Sequence, residues 1–142
     1  MSEPIQRCVE NWHRHMRGEL PGGLDAILTD DVVFLSPIVF SPQRGKELTK
    51  LYLNAAGATI GDESKFRYVK QILSSHHAVL EFETELAGKY VNGIDMLTCD
   101  DEGRITEFKV MVRPLQAINL LHQQMAAMLK QMQDAGREAA AS

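Results

Sequence analysis

Cysteine is scarce: the 142 residues hold two, Cys8 and Cys99, far apart and without a CxxC pair. This excludes a disulfide-stapled scaffold and a cysteine-based zinc centre, and both read as small core hydrophobes. Positive charge is not in excess. Fifteen Lys and Arg stand against nineteen Asp and Glu, a net charge of −4, so little is available to neutralise a polyphosphate backbone and nucleic acid is not an expected partner. No apolar run approaches the roughly 18 residues that cross a bilayer. The beginning of the chain, charged and mixed, is unlike a signal peptide, and a cytoplasmic protein with no membrane contact is expected. HExxH, two-His-one-carboxylate and glycine-rich phosphate-loop spacings are missing too. Adjacent His76 and His77 at the start of a strand would point to opposite faces and could not chelate one ion. No metal and no cofactor is expected.

What is present is ordinary for a folded domain, 44% hydrophobic and 24% charged. The length fits one domain over residues 1–135, followed by a flexible tail at 136–142. After Pro4, suited to the first turn of a helix, Ile5, Cys8, Val9, Trp12 and Met16 keep helical spacing to about Gly18. Leu24–Leu28 permits a short helix before Asp30-Asp31 introduces a strand over Val32–Ser36. Pro37 and Pro42 bracket a loop, and a third helix follows Gly45 with Leu48, Leu51, Tyr52 and Ala55 on one face. From Phe66 the pattern turns to strands, at 66–73, 77–86, 89–99 and 104–113, with connections short enough for antiparallel pairing. Leu80, Phe82 and Leu86 alternate with Glu81, Glu83 and Glu85, which buries one face only. Beyond Pro114 a Leu- and Met-rich stripe from Leu115 to Met132 predicts a long helix at about 114–134. The order predicts a segregated α+β domain, with a curved antiparallel sheet packed on helices.

Asp95 is the one acid in a strand otherwise written Val91, Asn92, Gly93, Ile94, Met96 and Leu97, and period two puts it on the face of Val91, Gly93, Leu97 and Cys99. A carboxyl there faces an apolar interior. Desolvation then disfavours ionisation, so the acid keeps its proton and can donate a hydrogen bond. The other reading of Asp95 is a carboxylate tied to backbone, His or Tyr to organise its surroundings.

Two stretches resemble a known family. Leu24 to Pro37, followed by Arg44-Gly45-Lys46-Glu47, and Asn92 to Ile105, with its acid before a turn ending Gly103-Arg104-Ile105, are similar to the ketosteroid-isomerase and SnoaL-like group of the nuclear-transport-factor-two superfamily. The likeness spans about Ile5 to Leu115. It implies a cone-shaped, cystatin-like fold, a strongly bent sheet on N-terminal helices, here with an extra C-terminal helix. It also implies a pocket for a small apolar organic ligand and a homodimer formed on the outer face of the sheet. Isomerases, hydrolases, cyclases and plain binders share this scaffold.

By that resemblance Asp95 matches the oxyanion-hole acid of the isomerases, the family in which a carboxylic acid is kept neutral by an apolar site. The isomerase base would fall at Ser36, which without a partner base cannot shuttle a proton between carbons. The helix-one tyrosine is also missing; Trp12, His15 and Met16 lie near its place. Trp12 then reads as a core or pocket-wall aromatic, and His15 as a base if it turns inward or as solvated surface if it does not. Phe108, Val110 and Val112 share one face of the last strand and form the expected wall beside Asp95. Ser36, Tyr52 and Tyr68 complete the candidate ligand-binding set; either Tyr68 or Tyr90 could add a hydroxyl, with the face of each left open. Arg113 is expected either to pair with an acid such as Glu107 or to close the cone mouth. The final helix is expected to act as a lid, as core, or as a subunit contact. Two functions remain in view: an enzyme using Asp95 as acid, base or oxyanion donor, and a non-catalytic binding or interaction domain.

Overall fold

The computed structural model describes residues 3–61 and 65–141. Helix α1 (Pro4–Met16) begins where the Glu3 backbone N–H donates to Gln6 Oε1 at 2.8 Å, and it buries Ile5, Cys8, Val9 and Trp12. That is the stripe its spacing predicts. A short α2 (Leu24–Ile27) leads into β1 (Leu28–Leu35), and a two-residue β2 (Gln43–Arg44) precedes α3 (Lys46–Ile60). Four long strands follow: β3 (Arg67–Ser74), β4 (His77–Leu86), β5 (Lys89–Cys99) and β6 (Ile105–Arg113). The chain ends in α4 (Leu115–Ala141).

The strands form one curved, open six-stranded sheet in the order β2-β1-β6-β5-β4-β3. Neighbours from β3 to β6 pair antiparallel, as their short turns require. One pairing departs from the expected antiparallel rule: β1 lies parallel to β6, because the chain passes through α3 and three further strands before it returns beside β1. That pairing also draws β1 out four residues earlier than the sequence suggests. Leu28 pairs with Ile105, the Thr29 hydroxyl donates to the Ile105 carbonyl, and Asp30 and Asp31 sit exposed within the strand instead of preceding it. Register breaks between Leu28 and Val33, Tyr68 and Lys70, and Thr98 and Cys99 are of the kind that bends and twists a sheet.

The concave face carries two apolar clusters. The larger joins α1 and α2 to the sheet through Trp12, Ile27, Phe34, Leu80, Leu97 and Phe108; the smaller joins α4 to β4 and β5 through Phe82, Leu86, Val91, Ala117 and Leu121. Phe82 and Phe108 are sealed from water, and each contributes on the order of 2–3 kcal/mol of apolar burial. Gly103, at φ +80, closes the β5–β6 turn directly against Pro4 and Cys8 of α1, a left-handed conformation that other residues adopt at a cost. The last helix is longer than its stripe predicts. It runs through Gly136 to Ala141, since one glycine weakens a helix without ending it. Of the tail expected to be flexible at 136–142, the side chains from 137 onward lie outside the described residues.

Gly93 sits where the sheet is tightest. It pairs with Phe82 and Val112, and a Cβ built on it would stand 2.5 Å from the Met111 carbonyl oxygen and 2.6 Å from the Phe82 ring. Gly93→Ala should therefore lower the free energy of unfolding by about 1–3 kcal/mol, the usual cost of overpacking. Urea denaturation at fixed pH checks this, and an unchanged midpoint would show that β4 and β6 yield there freely.

Candidate functional site

Asp95 lies in the middle of β5, paired with Leu80 of β4 and Val110 of β6. Its neighbours on that face, Val91, Gly93, Leu97 and Cys99, are all buried, as the alternation predicts, and Asp95 itself is 7% exposed. A hydroxyl meets it there. Tyr68 Oη donates to Asp95 Oδ2 at 2.5 Å and accepts the Trp12 indole N–H at 2.9 Å. Trp12, Tyr68 and Asp95, from α1, β3 and β5, thus form one donor chain. The face of Tyr68 that alternation left open is settled by the register break after it: Tyr68 pairs with inward Phe82, whereas Lys70 pairs with outward Glu81. No local signal announces this chain, because its members are 56 and 27 positions apart.

These groups border a cavity of ≈ 310 Å³, also lined by His15, Phe66, Phe108 and Val110, at the lower end of the size range of ligand sites. Phe108 packs tilted against Trp12 with ring centroids 4.9 Å apart, and the His15 ring lies 5.4 Å from Trp12. Burial drives the Asp95 carboxyl up to about 7, with the Tyr68 hydrogen bond opposing. Burial, reinforced by the nearby Asp95 charge, holds the Tyr68 hydroxyl well above its usual value of 10. Burial lowers His15 below its ordinary 6.5, which keeps the imidazole neutral at neutral pH.

The Tyr68 proton is already committed to Oδ2. The donor that remains for a ligand is the carboxyl proton of Asp95 itself, present while the acid is un-ionised.

Other candidates fall elsewhere. Ser36 and Tyr52 line a neighbouring cavity of ≈ 150 Å³ under α4. The Ser36 hydroxyl accepts the backbone N–H groups of Ile38 and Val39, so it holds a turn. Val112 shares the face of Val110 but borders neither cavity. One further step of about 7 Å along the strand carries it into the cluster beneath α4. Arg113 donates to Asn92 Oδ1 at 3.3 Å instead of pairing with Glu107, which stands six residues, about 20 Å, back along the strand. His76 turns to Asp101 and His77 to Thr98. Among the described residues no three His, Cys, Asp or Glu side chains form a metal-ligand group, and no helix is long and apolar enough to cross a membrane.

The raised carboxyl sets a pH dependence. Between about 4 and 7 the unfolded chain gives up a proton that folded Asp95 retains, so stability falls as pH rises and levels off once the folded carboxyl ionises. Asp95→Asn keeps an oxygen for the Tyr68 hydroxyl without the titration. From pH 5 to pH 9 the wild type should lose about 3 kcal/mol more unfolding free energy than the variant. Urea titrations at the two pH values measure this, and parallel losses would mean that Asp95 ionises as an exposed acid does.

No family model and no curated protein matches the chain. Solved structures do. A steroid delta-isomerase from Pseudomonas aeruginosa is 30% identical, with 94% of this chain and 97% of that one covered at a TM-score of 0.85. A Silicibacter pomeroyi protein with a cystatin-like fold is 25% identical over 75% of this chain and 73% of its own, TM-score 0.69. A SnoaL-like polyketide cyclase from Jannaschia, 14% identical over 84% and 94% of the two chains at a TM-score of 0.63, shares the fold alone. The extent and identity of the first match, together with the curved sheet and its helices, make this chain a member of the ketosteroid-isomerase and SnoaL-like group of the nuclear-transport-factor-two superfamily.

Proposed function

We propose that the protein binds a small apolar carbonyl compound in the Asp95 cavity and moves a proton on the carbon next to the carbonyl. The observation that carries this is the Trp12–Tyr68–Asp95 chain, closed at 2.9 and 2.5 Å against an apolar wall. A carbonyl oxygen placed at the protonated carboxyl would be polarised, and charge developing on it would be stabilised by a donor that needs no reorganisation. His15 borders the same cavity and is held neutral, which suits it to take a proton while Asp95 supplies the hydrogen bond. Two titratable groups with pKa values displaced in opposite directions divide into acid and base. The steroid delta-isomerase match supports the reaction class.

A second reading is favoured by one feature: Ser36, where the isomerase-like base was expected, is spent on its turn. In that reading the cavity binds a ligand and transfers no proton. Exchange of the α-protons of a cyclic ketone for solvent deuterium, followed by NMR, separates the two. The proton-transfer reading expects exchange in the wild type, lowered at least about 100-fold in both His15→Gln and Asp95→Asn, a typical contribution of a positioned acid or base. Ketone binding with no exchange above the buffer rate would leave the binding role alone.

We also propose that the chain forms a homodimer through the convex face of the sheet. Aligned across that face are Ile72, Val79 and Met96, beside Ile94 and Met111. Ile72 is 59% and Met111 46% exposed, a contiguous apolar strip of the kind that marks interaction surfaces. Ile94→Glu with Met111→Glu should convert the dimer to a monomer in sedimentation velocity; a wild type that sediments as a monomer overturns the reading. The free, buried Cys8 and Cys99 accord with a reducing, cytoplasmic setting.

A further inference from the structure

The smaller cavity is unused by the chemistry above. It lies between α3 and α4, bordered by Ile38, Tyr52, Leu121, Met125 and Leu129, with exposed His122 also on its border. The Ser36 hydroxyl on its wall is occupied by backbone donors, so the chamber presents an almost wholly apolar lining. It is continuous in its walls with the Asp95 cavity: Ala56, Ile60 and Val110 border both, and Val110 is the direct cross-strand partner of Asp95. An apolar chamber of ≈ 150 Å³ is the size that accepts a benzene molecule.

We propose that the two chambers together hold one elongated ligand, a carbonyl compound whose polar head meets Asp95 and whose apolar arm, the size of a butyl or phenyl group, passes Val110 to lie beneath α4. This rests on the head-group reading given above and adds the arm. The helix is then part of the binding site, and its methionine is well chosen for the place. Met125 is unbranched and conforms to irregular apolar shapes, so one chamber tolerates arms of differing outline. Leu129, one turn further, sets how far the arm extends.

A series of cyclohexanones carrying hydrogen, ethyl, butyl or hexyl at position 4 tests the idea on the intact chain. Trp12, the one tryptophan in the sequence, borders the head-group chamber and reports binding through its fluorescence. Affinity should rise about fourfold for each added methylene that enters the second chamber. Met125→Phe and, independently, Leu129→Phe narrow that chamber alone. Each should cut the ethyl-to-hexyl gain at least tenfold while cyclohexanone, too short to reach them, binds within twofold of wild type. Binding of cyclohexanone with no gain along the series overturns the arm and leaves the head-group reading standing. A gain that survives both substitutions places the arm elsewhere and also overturns the proposal. Failure of every ketone to bind overturns both readings together.

Discussion

A carboxyl group buried on the concave face of a sheet is the constraint around which this molecule is arranged. Asp95 is held in the dry centre of β5, paired on both sides and facing apolar side chains. Ionised and alone there it would be costly. Two features relieve the cost: the carboxyl keeps its proton to about pH 7, and the Tyr68 hydroxyl donates to one of its oxygens. Tyr68 is in turn fixed by Trp12. The register break in β3 that aims Tyr68 inward and the helix that carries Trp12 therefore serve the same group. The absence of a side chain at Gly93, two residues before Asp95, lets the Phe82 ring lie against the backbone of β5.

The proposed chemistry rests on two titratable groups, His15 and Asp95, that border one cavity. Ordinary aqueous values would leave Asp95 charged at neutral pH. Burial lowers the His15 pKa and raises that of Asp95, so each group is shifted toward its uncharged form. The family scaffold is kept. The hydroxyl beside Asp95 comes from Tyr68 of β3, and Ser36 serves the loop that follows β1.

Helix α4 alters the scaffold more than any single residue. Its first half is anchored through Ala117 and Leu121 on the cluster that contains Phe82 and Val91. Its next turns, with Met125 and Leu129, border the smaller chamber, and Met125 also packs against that cluster. Of the three readings that the Leu and Met stripe permits, lid, core and contact, the start of the helix serves as core.

Periodicity alone determined much of this protein. The buried face of α1, the alternation of β4 and β5, the inward direction of Asp95 and the long final helix all follow from spacings within one element. There the driving force is burial of every second, third or fourth residue. The parallel β1–β6 pair, the tyrosine hydroxyl on Asp95, the removal of Val112 from the site and the second chamber under α4 were decided only by the tertiary structure. Each of these depends on where separate elements come to rest against one another. A register shift in β3, a distance of two residues along β6 or the seating of a helix on a curved sheet is fixed by packing between segments remote in sequence, and periodicity within a segment carries no trace of it.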